Sequence, residues 1–314
     1  MIKNNSGLHR NEDALSDIKN KKIPIPAKLA LITACFFWSA SFIATKKALD
    51  TVPPLTLVTL RLTISSLCFL LWFLFMKRKI PFRFAWLGRL FLLSLFGTGL
   101  HYGIETIGQQ YTTASNASLY LVTGPISITL IAALFLGERI TLKKAFGIGC
   151  AMAGVLIVMG IETLKAFELK GHLLGDLLVL ASVLMWGIFT VMGKDMIRKM
   201  SAVEMTAIVT FMGTLCMIPV GWFESHQRSF SLASIPFEAW AAVAFLGITC
   251  SFLGTLLYFF ALERTESQKV GVYLYTIPPM TYIIAGLYLK ETIGINLLLG
   301  SLVVLAGVYI TEKG

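Results

Sequence analysis

Residues 120–157 read YLVTGPISITLIAALFLGERITLKKAFGIGCAMAGVLI, and a related pattern returns without a gap at residues 273–310, YLYTIPPMTYIIAGLYLKETIGINLLLGSLVVLAGVYI. The two segments are 153 positions apart and share 15 identities in 38. Prolines, glycines and glutamates lie in register, which goes beyond a common preference for leucine. Earlier in the chain, an offset of 148 pairs Trp38 with Trp186. The chain therefore contains an internal repeat.

The composition is that of a membrane protein. Of the 314 residues, 56% are hydrophobic and 14% are charged, whereas a soluble domain carries about 25% charged residues. A membrane helix needs about 20 apolar residues, and it must be helical because lipid offers the backbone no hydrogen bonds. Ten such runs lie at about residues 28–49, 55–76, 86–108, 114–136, 142–160, 172–193, 202–222, 237–262, 268–289 and 294–311. This pattern predicts an all-α integral membrane protein with ten transmembrane helices and no soluble catalytic domain.

The distribution of Lys and Arg predicts the orientation. With residues 1–27 as a cytoplasmic tail, 19 of the 27 basic residues fall on the cytoplasmic side, six on the outer side and two within spans. Cytoplasmic loops of membrane proteins carry such an excess. We therefore expect both termini in the cytoplasm. The net charge of +10 is then explained by topology, and no nucleic-acid partner is expected.

Each half of the repeat contains an odd number of spans. Residues 28–160 and 172–311 would hold five spans each, so the two halves must enter the membrane from opposite sides. Such inverted repeats are typical of secondary transporters. The sequence thus favours transport over catalysis.

Several motifs resemble a known family. FFWSASFIATKKAL (36–49), LFLGERIT (134–141), GCAMAGVLIVMG (149–160) and VLMWGIFTVMGK (183–194) are similar to the EamA type of the drug/metabolite transporter superfamily, and the resemblance covers about residues 28–311. It implies a ten-helix inverted-repeat transporter in a cytoplasmic (inner) membrane. Members commonly export amino acids, other metabolites or toxic compounds, and some import.

Few charged or titratable residues lie well inside the predicted spans, where such groups are costly. Arg61 is about two turns into the second span, and His101 and Glu105 are four residues apart on one face of the third span. One interpretation is that Glu105 neutralises Arg61 while His101 faces the pathway. The other is a structural polar cluster that joins the two spans. Arg61 also matches an arginine of the family.

Aromatic residues are candidates for the binding surface. They can stack on flat solutes or face a cationic amine, although core packing and interfacial belts also use them. Repeat-related positions are the strongest candidates. The predicted substrate-binding residues are Trp38, His101, Tyr102, Glu105, Asn116, Tyr120, Trp186, Tyr258, Tyr273 and Tyr275.

Two repeat-related prolines, Pro125 and Pro278, fall near the centres of the fourth and ninth spans. A proline inside a helix removes a backbone hydrogen bond and bends the helix. Together with Arg61 and Glu105, these prolines are candidates for coupling or gating. A static kink that only shapes packing is the alternative.

These features predict a secondary transporter that exports small organic metabolites such as amino acids or amines by alternating access. Proton coupling through Glu105 and His101 is one option, and an uptake permease or facilitative exchanger is the alternative. The sequence contains no P-loop, so ATP is not expected to be the direct energy source. A membrane enzyme ranks far below because no metal motif and no convincing nucleophile–base arrangement is found, and a channel ranks far below because repeated charged or carbonyl-rich filter elements are missing. The expected partners are a small-molecule substrate and the lipid bilayer, with no cofactor or metal. A monomer is compatible with the sequence, which does not fix the oligomeric state.

Overall fold

The computed structural model describes residues 23–77, 84–111, 120, 123–165, 173–289 and 295–314. These residues form helices and turns, and no strand occurs among them. The helical segments are α1 (Ile25–Leu49), α2 (Pro54–Phe75), α3 (Phe84–Tyr111), α4 (Thr123–Leu136), α5 (Leu142–Lys165), α6 (Leu173–Met196), α7 (Ala202–Gln227), α8 (Phe237–Leu262), α9 (267–289) and α10 (Ile295–Lys313).

Seven of the helices in the described ranges are long and apolar enough to cross a membrane, namely α1, α2, α3, α6, α7, α8 and α10. Large apolar side chains also cover the outside of the bundle. Leu134 and Phe75 are each 80% exposed and Phe135 is 78% exposed, as expected for side chains that face lipid rather than water. The prediction of an all-helical membrane architecture is therefore confirmed. The count of ten spans stays a prediction.

Several helices begin with the residues that favour a helix start. Pro26 and Pro54 lie in the first turns of α1 and α2, where the fixed φ of proline suits a helix start. Ser201 and Glu204 form a reciprocal capping box at the start of α7. These local signals fix where the helices enter the bundle.

Three helices depart from regular α geometry near their middle. α3 contains a π-helical segment at Leu95–Gly99, and α8 contains one at Leu246–Gly254. α9 passes through a 3₁₀ segment at Val272–Thr276 before continuing as an α-helix from Ile277. Such interruptions are frequent at functional sites and hinges. All three irregular segments belong to helices that contact or underlie the cavity described below.

The closest helix pair is α5 with α10, which touch through glycines. A Cβ atom placed on Gly154 would lie 2.5 Å from the backbone nitrogen of Val304, and one on Gly300 would lie 2.7 Å from the carbonyl oxygen of Gly154. The contact is repeated about two turns further along, where Cβ atoms on Gly147 and Gly307 would each meet the opposite backbone at 2.6 Å or less. Small residues allow this approach in membrane proteins. The two backbones therefore pack directly on each other.

Substitution at this contact should destabilise the protein. In Gly154→Val, the new side chain must push α10 away, and such overpacking costs about 1–3 kcal/mol. Gly149→Val is the matched control on the same helix, because a Cβ at Gly149 would have nothing within 4 Å. We expect a lower unfolding temperature in detergent for Gly154→Val and an unchanged one for Gly149→Val. Equal unfolding temperatures for both variants would contradict this description of the contact.

Candidate functional site

A cavity of about 100 Å³ lies among α1, α2, α3, α4, α6 and α9. A buried water needs about 10–15 Å³ on this measure, so the cavity has room for several waters. Its walls combine aromatic, hydroxyl and charged side chains. The lining residues are Trp38, Ser41, Phe42, Thr45, Arg61, His101, Tyr102, Glu105, Thr106, Gln109, Gly124, Val179, Ser182, Val183, Trp186, Leu274 and Ile277.

The two repeat-related tryptophans meet at one end of this cavity. The rings of Trp38 and Trp186 pack edge to face with their centroids 5.1 Å apart, and each lies 5.4 Å from the ring of Tyr258. Tyr258 is fully buried, and its hydroxyl is 3.1 Å from the hydroxyl of Thr190. Edge-to-face packing is the favoured geometry for aromatic pairs. The three rings therefore form a closed aromatic floor.

α1 and α6 line the cavity with residues at the same sequence spacing, and the two helices run in opposite directions. On α1 the lining residues are Trp38, Ser41, Phe42 and Thr45, and on α6 they are Val179, Ser182, Val183 and Trp186. Each set keeps to one helix face, at spacings of three and four residues. Moving away from the tryptophan pair, residue numbers rise on α1 and fall on α6. The two helices therefore run in opposite directions along the cavity.

Arg61 is buried but reaches the cavity. Its Nε donates to the hydroxyl of Ser251 on α8 at 2.9 Å, and its guanidinium lies 4.1 Å from the centroid of the Tyr102 ring. α8 comes close at this level because Gly247 has no side chain, and a Cβ there would lie 3.0 Å from the carbonyl oxygen of Arg61. The terminal nitrogens of the guanidinium make no hydrogen bond within the described part of the chain. They remain available to an anion in the cavity.

His101 and Glu105 form the other polar wall. Nε2 of His101 lies 3.8 Å from Oε2 of Glu105, while Nδ1 lies 2.9 Å from the carbonyl oxygen of Ser182 on α6. Gln109 donates to Oε1 of Glu105 at 3.3 Å. Among the described residues, Arg61 and Glu105 form no ion pair within 4.0 Å. The two charges line the same cavity but keep separate partners.

Six of the predicted site residues thus come together at the cavity: Arg61, His101, Glu105, Tyr102, Trp38 and Trp186. Tyr258 supports them from below. Tyr275 is also fully buried, at 1% exposure, and is not part of the lining. Tyr273 lies elsewhere, with its hydroxyl on Glu312, and Tyr120 interacts with Asp176. Asn116 lies outside the described residues.

Neither predicted proline touches the cavity, but the residue before each one does. Gly124 precedes Pro125 and Ile277 precedes Pro278, and both are lining residues. Pro278 lies where the 3₁₀ segment of α9 changes to an α-helix. Pro125 lies in the first turn of α4 as described. Both prolines are thus next to lining residues in the chain but do not line the cavity themselves.

Most of the hydroxyl-bearing lining residues were not among the site residues predicted from the sequence. Ser41, Thr45 and Ser182 carry no strong signal individually. Counting by three and four from Trp38 and Trp186 would have found all three, because they share a helix face with those rings. Among the residues that the structure describes, no group of three His, Cys, Asp or Glu could hold a metal ion.

Buried charges join the two halves of the chain at the opposite end of the bundle. Nζ of Lys144, at the start of α5, is 2.6 Å from Oε2 of Glu266, which precedes α9. Glu138 accepts from the backbone nitrogens of Ser267 and Gln268 at 2.9 and 3.2 Å. A carboxylate at a helix N-terminus satisfies free donors and favours the helix dipole. Glu138 therefore caps α9, a helix of the other half.

Two further contacts close the same end. Lys28 of α1 pairs with Glu312 of α10, and Glu312 also accepts from the hydroxyl of Tyr273 at 3.2 Å. Lys194, at the end of α6, donates to the carbonyl oxygens of Leu262 and Thr265, the latter at 2.6 Å. Together with Glu138 and the Lys144–Glu266 pair, these contacts form what we call the charged network. It connects the ends of α1, α4, α5, α6, α8, α9 and α10.

Removing one partner of the buried pair should be costly. Lys144→Met leaves Glu266 buried without its cation, and breaking a buried ion pair costs about 3–5 kcal/mol. Lys143→Met is the matched control, because Lys143 is exposed on the same turn. We expect a marked drop in the unfolding temperature for the first variant only, measured by thermal denaturation in detergent. A drop of the same size in both variants would show that the pair is not responsible.

An all-helical membrane bundle with a polar and aromatic cavity between its helices is the architecture of a membrane transporter. Comparison with known protein families identifies the family of transporters. The family model of the EamA-like transporter family matches residues 25–160 and 173–312, and the chain belongs to that family. It is a multi-pass membrane transporter and not an enzyme.

The names of individual relatives agree with this family assignment. An uncharacterized transporter of Archaeoglobus fulgidus is 31% identical over 285 residues, which cover 90% of this chain and 96% of the relative. A protein named as a probable terminal-alkyne amino-acid exporter, from Streptantibioticus cattleyicolor, is 24% identical over 90% of this chain and 92% of that protein. A solved crystal structure superposes with a TM-score of 0.73 at 20% identity, over 91% of this chain and 96% of that one. At that identity, the likeness concerns the fold alone.

Proposed function

We propose that the protein exports small organic metabolites such as amino acids or amines by alternating access. The observation that carries this proposal is the composition of the cavity wall. Arg61 offers free guanidinium donors to a carboxylate, Glu105 and His101 offer acceptors to an ammonium group, and the tryptophan pair offers an apolar surface. A phosphorylated sugar would need several cations, whereas Arg61 is the one cation that lines this cavity in the described part of the chain.

In alternating access, the binding site is closed toward one side of the membrane at a time. Two inverted repeats allow the closed side to change, because the halves can exchange conformations. The charged network closes one end, and the aromatic floor separates that end from the cavity. The proposal includes ten spans in two inverted five-helix repeats, residues 28–160 and 172–311. Its support is the sequence repeat, the opposite directions of α1 and α6 along the cavity, and the reciprocal glycine contact between α5 and α10.

The charged network lies at the end that carries most of the basic residues. If the positive-inside rule applies, this end and both termini face the cytoplasm, and the cavity lies toward the outside of an inner membrane. Export is supported by the resemblance to the family and by the relative named as an exporter. Vesicles of both orientations test the direction, since an exporter should accumulate solute in inverted vesicles when energised. Accumulation in right-side-out vesicles alone would favour the uptake permease.

Counterflow in proteoliposomes tests the solute class. Vesicles loaded with a mixed panel of amino acids, amines, sugar phosphates and nucleosides are diluted into the same labelled compounds, and uptake is read by mass spectrometry. We expect saturable, trans-stimulated uptake of compounds that carry an ammonium group. Uptake confined to phosphorylated compounds or to uncharged nucleosides would overturn the proposed solute class. Flux that neither saturates nor responds to unlabelled solute would indicate a channel.

The role of Arg61 has its own test. Arg61→Gln removes the donors for the carboxylate, and a charge-assisted hydrogen bond contributes about 1.5–3 kcal/mol. We therefore expect amino-acid uptake to lose affinity by about tenfold or more, while uptake of the corresponding amine without a carboxylate changes little. Arg89→Gln is the matched control, because Arg89 is an exposed cation of α3 paired with Asp195. An equal effect on amino acids and amines would assign Arg61 to structure alone.

A further inference from the structure

The hydrogen bond between His101 and Ser182 determines where the proton of the imidazole sits. The carbonyl oxygen of Ser182, 2.9 Å from Nδ1, can only accept a hydrogen bond. Nδ1 must therefore carry a hydrogen in every protonation state that keeps this contact. In the neutral imidazole, Nε2 then presents a lone pair.

That lone pair points toward a second acceptor. Nε2 of His101 is 3.8 Å from Oε2 of Glu105, beyond the 2.7–3.2 Å range of a direct hydrogen bond. The other carboxylate oxygen already accepts from Gln109. A neutral imidazole and a carboxylate thus face each other across a gap in the cavity wall, and neither supplies the hydrogen. The gap is open to a donor from elsewhere, and the carboxylate of Glu105 favours a donor that carries a positive charge.

Two kinds of positively charged donor fit between Nε2 of His101 and Oε2 of Glu105. A proton on Nε2 converts the pair into an imidazolium and a carboxylate that attract each other. Alternatively, an ammonium group of the solute donates one N–H to Nε2 and another to Oε2. Both occupants bring one positive charge and use the same lone pair, so they cannot be present together.

We propose that His101 and Glu105 form a single acceptor pair that binds either a proton or the ammonium group of the solute. This inference rests on the proposed function and deepens it. When the solute binds, its ammonium N–H replaces the proton on Nε2, and that proton leaves for the water of the cavity. No covalent bond to carbon forms or breaks. Solute and proton therefore exchange at one site, and the exchange couples solute flux to a proton gradient.

The surrounding groups fit this exchange. On α3 the facing groups are Glu105 and Tyr102, and from α2 the guanidinium of Arg61 acts on the imidazole. α6 contributes the Ser182 carbonyl and the ring of Trp186, 5.2 Å from the imidazole centroid, and both are neutral. Arg61 disfavours a second cation and Glu105 favours one.

The test uses four probes with one ring and different charged groups: L-phenylalanine, 2-phenylethylamine, 3-phenylpropionate and N,N,N-trimethyl-2-phenylethylammonium. Each is added to the purified full-length protein in weakly buffered detergent solution between pH 5.5 and 8. Proton release is followed with a pH indicator, and binding is followed by the thermal shift. We expect the first two probes to bind and to release a proton, with the largest release at the acid end of this range. The last two should do neither, because one lacks an ammonium and the other has no N–H.

Three variants locate the released proton. His101→Asn keeps an amide donor for the Ser182 carbonyl but lacks Nε2, so the amine should still bind, more weakly, without releasing a proton. Glu105→Gln removes the anion and should weaken amine binding by about tenfold or more. His226→Asn is the matched control, because this histidine stacks on Trp222 near the end of α7, away from the lining residues. It should behave like the unmodified protein.

Each of the following outcomes would overturn the inference. Proton release that persists in His101→Asn would place the proton elsewhere, and tight binding of the trimethylammonium probe would show that no N–H is needed. If neither amine-bearing probe binds, the acceptor pair is not an ammonium site. If L-phenylalanine binds without proton release, the inference fails while the proposed function stands. If counterflow carries only solutes without an ammonium group, the proposed function fails as well.

Discussion

A guanidinium inside a lipid bilayer imposes the strongest constraint on this bundle. An arginine at membrane depth costs several kcal/mol unless it finds polar partners, and Arg61 finds them on two other helices. The hydroxyl of Ser251 on α8 and the ring of Tyr102 on α3 both contact it. α2, α3 and α8 all approach this cation, and its remaining donors reach the cavity that α2 and α3 line together with α1, α4, α6 and α9.

Helix placement and the main cluster of the site could be predicted from the sequence, because both follow from local rules. Apolar runs mark the helices, and the repeat register pairs Trp38 with Trp186, which do contact each other. The rotation of each helix about its axis could not be predicted in the same way. Tyr258 and Tyr275 resembled pathway residues, but their helix faces point into the protein core. Rotation depends on packing against several helices at once, and no single helix encodes it.

Long-range capping was equally inaccessible to sequence reasoning. Glu138 follows α4 directly and lies only a few residues before α5. In the structure its carboxylate caps α9, more than a hundred residues along the chain. Lys194 similarly satisfies the carbonyl groups at the end of α8. A charged residue at the end of a helix can serve any helix terminus within reach, so its partner becomes known only once the helices are placed.

The glycine contact between α5 and α10 has a mechanical consequence. Where two backbones touch directly, there are no long side chains to adjust their rotamers as the helices slide, so relative motion soon meets steric resistance. This pair is therefore suited to be the fixed frame of the molecule. α1, α6 and α9 meet instead through aromatic rings, hydroxyl groups and an irregular helical segment, which can rearrange. Displacements of the cavity walls are therefore best measured after superposing structures on α5 and α10.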